Sequence, residues 1–257
     1  MGRPATRGLK WRRRISNLLI LGGLLVLLYP VGTWAVTWWE QRALQQALVA
    51  SHPDLAEDAG AALQDDAVLV PLDFGDASAE HLTVKEQEQK AESIALTRAL
   101  ARAAAAFTEE VGESGGAPLG RLTIPKIGLD VVVIEGVGRG DLREGPGHWP
   151  ETPMPGAGGN FVVSGHRTTY GAPFLRLDKL VEGDVIELIL PYAALRYEVT
   201  RSVIVSPNQV DVVDQRGVEE ISLATCHPIY SARQRLVVQA RLTAFKLLDV
   251  GAAAASS

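Results

Sequence analysis

Cysteine is nearly absent: the chain has one, Cys226, in 257 residues. A single cysteine cannot close an internal disulfide, so this thiol is hidden, joined to another chain, or kept reactive. Aromatic residues make up only 6% of the chain and methionine occurs twice. Basic residues are in deficit, 25 Lys and Arg against 30 Asp and Glu. Six of those 25 (Arg3, Arg7, Lys10, Arg12, Arg13, Arg14) precede residue 15, leaving 19 against 30, a net charge of −11 for the remainder. That balance argues against nucleic acid as a partner, because such binding needs a basic footprint. Histidine is scarce too. His52, His81, His148, His166 and His227 show no H-x-x-x-H or Cys-His ligand spacing, and no oxygen-ligand cluster requires calcium, so neither a metal nor a cofactor is expected. Internal repeats are lacking. Gly136-Val-Gly-Arg-Gly140 follows a candidate strand, yet its third glycine is misplaced for G-x-G-x-x-G and no Walker lysine follows, so it reads as a turn.

Apolar residues are plentiful, 47% of the chain, and one run dominates the N-terminus: Ile15 to Trp39 contains no charge. As a helix these residues reach roughly 37 Å at 1.5 Å per residue, enough for a hydrocarbon core of about 30 Å. The basic residues before the run put the N-terminus in the cytoplasm and everything after Glu40 outside. Trp34, Trp38 and Trp39 suit an aromatic belt at the outer surface. A cleaved signal peptide is the competing reading, but the run exceeds a usual h-region and no small-x-small cleavage site follows. The expected organisation is a basic cytoplasmic tail (1–14), a single-pass anchor to the cell membrane (15–39), and an extracellular remainder.

Residues 40–117, rich in Ala, Glu and Gln, read as a stem or linker. Within it Leu96, Leu100, Ala103, Phe107 and Val111 share one helical face and predict a helix over 85–111. That helix serves as a spacer, packs on the following domain, or acts as a coiled-coil partner. Glu113 to Gly120 is a Gly- and Pro-bearing joint. Beyond it, short β-rich runs alternate with turns. Candidate strands are 121–124, 129–134, 160–164, 184–190, 195–205, 220–225 and 236–242, with short helices at 141–144 and 173–180. Such spacing predicts a mostly β domain over 118–243, a barrel or sandwich, followed by a flexible tail at 244–257.

Three strand ends carry reactive side chains: Val163-Ser-Gly-His166-Arg167, Ala224-Thr-Cys226-His227-Pro228, and Ser231-Ala-Arg233-Gln-Arg235-Leu236. The bland reading of Cys226 is a buried thiol acting as a small hydrophobe. A reactive thiol needs help near neutral pH, because the thiolate is the nucleophile. An imidazole can pair with it and later protonate a leaving amine. An arginine can favour the anion, or hold a substrate carbonyl or tetrahedral oxyanion. Arg233 and Arg235 lie two residues apart and share a strand face, so spacing alone leaves open which of them serves.

Ser222-Leu-Ala-Thr-Cys226 resembles the T-L-x-T-C signature of sortases, the cysteine transpeptidases of Gram-positive bacteria, with Ser222 in place of the first threonine. Gly165-His166-Arg167 followed by Tyr170-Gly-Ala-Pro-Phe174 resembles their catalytic-histidine segment, and Arg235-Leu-Val-Val-Gln-Ala their arginine strand. The wording Gly145-Pro-Gly-His148-Trp149-Pro150 and Thr225-Cys-His-Pro-Ile-Tyr-Ser-Ala-Arg-Gln-Arg235 is most similar to class E sortases of actinobacteria. The resemblance implies an eight-stranded sortase β-barrel. In it Cys226 attacks the Thr-Gly bond of an L-A-x-T-G or L-P-x-T-G sorting signal, His166 protonates the departing amine, and Arg235 positions substrate and stabilises the oxyanion. Thr225 and Tyr170 are its candidate substrate-binding residues. The implied partners are secreted proteins carrying a C-terminal sorting signal and the amine of a cell-wall peptidoglycan precursor.

Three alternatives stand beside this. A pilin-polymerising class C enzyme would carry a lid, commonly with Asp-Pro-Trp; no such tripeptide precedes residue 118, although Asp73-Phe74-Gly75 lies in the stem. A non-catalytic membrane-anchored stem protein would leave Cys226 inert. A papain-like peptidase would show C-G-[SA]-C-[WY] at the nucleophile, and nothing similar surrounds Cys226.

Overall fold

The computed structural model describes residues 7–53, 55, 83–112 and 115–248. The Asp73-Phe74-Gly75 segment, the N-terminal tail before Arg7 and the tail beyond Leu248 lie outside the described residues. Helix α1 (Arg7–Ser51) contains an apolar stretch that is long enough to cross a membrane and unburied by the rest of the chain. The helix does not stop at Trp39. Its last turns carry Gln41, Leu44 and Leu48 onto the barrel, where Leu48 is buried against Val132, Ile189 and Ala194.

Helix α2 (Val84–Val111) follows the apolar stripe legible in the sequence. Leu100, Ala104 and Phe107 are buried and join the main core, with Leu96, Ala103 and Val111 partly covered beside them. Phe107 meets the Tyr192 ring at 5.4 Å, and Tyr192 donates its hydroxyl to the Pro155 carbonyl at 2.7 Å. Gly156 has φ +101°, and a Cβ there would stand 2.6 Å from Leu100 Cγ. Only glycine both adopts that backbone and lets the helix approach so closely.

The rest is a closed eight-stranded barrel of β1 (Pro118–Ile124), β2 (Leu129–Glu135), β3 (Gly147–His148), β4 (Asn160–Ser164), β5 (Val185–Leu190), β6 (Ala193–Val205), β7 (Glu220–His227) and β8 (Gln234–Leu247). The order around the barrel is β1-β2-β3-β4-β7-β8-β6-β5. Two neighbouring pairs are parallel, β2 with β3 and β4 with β7; the others are antiparallel. A short α3 (Asp141–Glu144) precedes β3.

Alternation along the strands divides inside from outside. Phe161, Val163, Ile221 and Leu223 point into the core, whereas Val162, Ala224 and Val237 form an outer cluster with Val205 and Val213. Strand β7 is buried on both faces from Glu220 to Thr225 because β4 and β8 flank it and the 205–213 segment covers its outer side.

Three local expectations are corrected. Strand β3 is too short, and too closely bracketed by Pro146 and Pro150, to leave a periodic signal. Strand β8 runs to Leu247, well past Leu242, because Ala193 to Leu195 of β6 give it register partners and Phe245 is buried there. Over 173–180 only a 3₁₀ turn, Leu177–Lys179, forms. Phe174, Leu177 and Leu180 are all buried, and their spacing of three suits the tighter helix.

Leu100→Ala should lower the stability of a fragment spanning residues 83–248 by about 2–5 kcal/mol in urea denaturation, the cost of a buried leucine cavity. A change below about 0.5 kcal/mol would mean that α2 is not part of the core.

Candidate active site

The Cys226 and His166 segments are 60 residues apart in sequence and meet through the parallel pairing of β4 with β7. Their register runs from Asn160↔Glu220 to Ser164↔Ala224, and the Gly165 amide continues it by donating to the Ala224 carbonyl at 3.0 Å. The next residue on each strand is fixed by a side chain: the Thr225 hydroxyl, fully buried, donates to the Gly165 carbonyl at 2.7 Å. His166 and Cys226 each come immediately after this tie.

Both belong to the outer face. Ala224 and Val162 lie in the outer cluster. A Cβ built on Gly165 would run into the inward-facing Phe174 ring at 2.6 Å. Alternation therefore turns His166 and Cys226 outward together. Trp149 donates to the Ser164 hydroxyl at 2.7 Å on the same face. Cys226 and His166 are half-buried, and Cys226 is unpaired among the described residues.

Strand β8 brings the arginine. Cys226 is the register partner of Arg235, and His227 that of Gln234. Arg233 lies just ahead of β8, and its exposed side chain takes no place in that register. The Arg235 guanidinium donates to the carbonyls of Ala232 and Gln234, both at 3.0 Å, so it folds over the start of its own strand.

A second arginine, whose part the sequence did not disclose, is buried beneath the site. Arg167 Nη1 donates to the Cys226 carbonyl at 3.3 Å and to His227 Nδ1 at 2.9 Å, and Nη2 reaches Asp178 at 3.3 Å. Arginine has no acceptor to offer, so His227 Nδ1 must accept and its ring proton sits on Nε2. Arg167 thus fixes the turn after Cys226 as well as the tautomer of its neighbour. Its place beside His166 in the sequence was visible; its partners, 11 to 60 residues away, were not.

Tyr170 is near His166, with ring centroids 5.0 Å apart and planes tilted by 42°. Arg143 of α3 lies over the Tyr170 ring, 5.7 Å from its centroid. Tyr170, Gly171 and Ala172 have φ of +48°, +71° and +47°, a left-handed run that costs roughly 1–3 kcal/mol at each non-glycine residue and must be held by its surroundings. His148 is structural: buried, stacked on Phe161, and bonded to Glu135 at 2.8 Å and Thr152 at 3.0 Å. Among the described residues no three His, Cys, Asp or Glu side chains converge in a way that could hold a metal.

A sortase-domain family model matches residues 122–243, from β1 into β8, a segment that holds Cys226, His166 and Arg235. Sortase D of Bacillus subtilis is 35% identical over 125 residues, 48% of this chain and 60% of the relative. Sortase SrtE1 of Streptomyces coelicolor is 33% identical over 137 residues, 47% of this chain and 39% of the relative. The solved sortase E of Streptomyces avermitilis is 32% identical, with 54% of this chain and 95% of that one covered, at a TM-score of 0.47. The chain carries a sortase domain over residues 122–243. It spans 60% and 39% of the two curated relatives' lengths, which include both a sortase D and a sortase E.

Within this sortase domain, burial holds His166 below the ordinary imidazole value of 6.5. The neutral ring is therefore favoured in the folded state. A depressed folded value contributes stability that is present above the unfolded pKa and is lost as pH falls through the folded one. The stability of the wild type relative to His166→Gln should be constant above about pH 7.5 and decline on acidification through 6.5, as read by thermal unfolding. A difference that grows on acidification would mean that the imidazolium is the favoured form.

Proposed function

We propose that this sortase is a membrane-anchored transpeptidase in which Cys226, His166 and Arg235 carry the chemistry. The observation that supports it most is the β4–β7 register, which delivers the Cys226 and His166 segments to one outer face, with Arg235 opposite Cys226 on β8.

The Cys226 sulfur attacks the threonine carbonyl carbon of a Thr-Gly bond while its proton passes to His166. Neutral imidazole is suited to accept it. The tetrahedral oxyanion collapses, the C–N bond breaks, and His166 returns the proton to the departing glycine amine. A thioester then joins the substrate to Cys226. An acceptor amine attacks that thioester, loses its proton to His166, and leaves with the new amide as the thiol re-forms. Arg235 supplies donors for the substrate carbonyl and the oxyanion. Only Nη1 of its guanidinium is held, by the Ala232 and Gln234 carbonyls, and the group has five N–H donors in all. Tyr170 lines the site beside His166. Thr225 acts through its tie to Gly165, which places the two reacting side chains.

The acyl donor is the C-terminal sorting signal of a secreted protein, of the L-A-x-T-G type that the class E wording favours, and the acceptor is a cell-wall precursor amine. The apolar part of α1 anchors the enzyme with its basic end inside and the barrel outside the membrane. The domain limits are a cytoplasmic tail to residue 14, an anchor from 15 to 39, and a catalytic domain starting near 118.

The test is amine-dependent transfer by the full chain, with paired L-A-x-T-G and L-P-x-T-G peptides and with glycine-based or diaminopimelate-type acceptors. Product should form with the L-A-x-T-G peptide and vanish in Cys226→Ala and His166→Ala. Arg235→Ala should lower kcat/KM by about 10²–10³, the usual cost of one oxyanion donor, and Arg233→Ala by less than about threefold. A folded chain giving no product with either peptide would overturn the proposal. Equal losses from the two arginine variants would overturn the role of Arg235.

A further inference from the structure

Thr37, Gln41, Leu44 and Leu48 fall at helical spacing on one face of α1, and all four meet the barrel. Leu48 and Thr37 are buried. The Gln41 side chain behaves like a missing strand residue at the open edge of β2: its Oε1 accepts from the Val132 amide at 2.8 Å and its Nε2 donates to the Val132 carbonyl at 3.3 Å. The same Nε2 also donates to the Glu144 carbonyl, at 2.9 Å, at the end of α3. Gly145 makes room for it, since a Cβ there would collide with the Gln41 amide.

One turn earlier, Thr37 meets the His166 loop. Its hydroxyl is used within its own helix, donating to the Thr33 carbonyl at 3.0 Å. Its methyl faces Gly171, where an added Cβ would stand 2.9 Å from Thr37 Cγ2. Gly171 is the centre of the left-handed run, and the residue before it, Tyr170, carries the ring beside His166. A second route reaches the same ring. Gln41 holds the end of α3, and Arg143 of α3 lies over Tyr170. The helix and the loop also bound a cavity of about 440 Å³, with Trp34, Thr37 and Trp38 on one side and Gly171, Ala172 and Pro173 on the other.

We propose that Thr37 and Gln41 are positioning residues for His166: the helix leading out of the apolar span is the brace that holds the Tyr170–Ala172 loop. Anchor and active site then form one mechanical unit, and the contact that transmits the constraint is the Thr37 methyl against Gly171. The inference rests on the catalytic reading of His166 given above. A loop with two non-glycine residues at positive φ cannot keep that conformation unaided, and the α1 contact is what confines its middle residue.

The test uses the full chain in nanodiscs and two readouts, transfer kinetics and hydrogen–deuterium exchange over residues 168–175. Thr37→Val keeps the methyl and loses a hydroxyl bonded only within α1, so it should match the wild type in both. Thr37→Ala and Gln41→Ala should lower kcat roughly tenfold, a misplacement effect, with KM changed by less than about twofold. In both, amide exchange around Ala172, whose N–H bonds the Thr169 carbonyl, should speed up. Unchanged kcat and loop exchange in both alanine variants would overturn the inference, as would a Thr37→Val enzyme as impaired as Thr37→Ala. Should the wild type transfer nothing, the catalytic reading fails. Loop exchange unaffected by Thr37→Ala or Gln41→Ala would then overturn the brace separately.

Discussion

The Thr225 hydroxyl donating to the Gly165 carbonyl is the constraint on which the site depends. It closes the open end of a parallel strand pair at the point where hydrogen bonding between β4 and β7 runs out, one residue before Cys226 and His166, the two side chains proposed to react. A buried hydroxyl-to-carbonyl bond of this kind is worth only about 1 kcal/mol in net stability, but leaving the carbonyl unpaired costs more. The bond therefore does more to determine where the strands part than to hold the barrel together. Its partner Gly165 must be glycine because Phe174 fills the space beneath it. That same Phe174 lies three residues ahead of the 3₁₀ turn Leu177–Lys179 that leads towards β5.

Around that bond the polar groups are used in a graded way. Arg167 is buried and spends its guanidinium on the Cys226 carbonyl, His227 and Asp178. Arg235, nearer solvent, holds only two carbonyls of its own loop and is freer to change partners. The buried arginine serves as scaffold, and the half-buried one is the one proposed to take substrate. Opposite the site, Glu219 sits at the foot of β7 and accepts the amides of Gly156 and Gly158 at 2.6 and 2.8 Å. Burial raises its pKa, and those backbone bonds pull the other way. It fixes the loop against which Leu100 of α2 packs.

Much of this was legible in the sequence. The apolar run in Glu220–Thr225 announced a buried strand, and the lone cysteine falls at its less buried end. The periodic stripe from Leu96 to Val111 gave α2 nearly to the residue. Alternation in β4, β5 and β6 set their limits to within about two residues, which is as well as local pattern does. What stayed hidden depends on partners far along the chain. Arg233 and Arg235 share a face in any strand; spacing left the choice open, the resemblance favoured Arg235, and its place opposite Cys226 came only with the β7–β8 register. The Thr225 hydroxyl could equally have faced substrate, and its inward turn follows from the parallel pairing with β4. Arg167 looked like part of a motif, with no sign of Asp178 or His227. Thr37 fell unmarked within the anchor at 15–39 and Gln41 within the stem, because a glutamine mimicking a strand partner has no local signature at all.

The most direct measurement is the intact mass of the enzyme after incubation with an L-A-x-T-G peptide lacking any acceptor amine, followed by addition of the amine. The account predicts a mass increase equal to the acyl fragment, located at Cys226 and absent in Cys226→Ala, that is discharged when the amine is supplied. Peptide cleavage without any adduct on Cys226, or an adduct that the amine leaves in place, would contradict it.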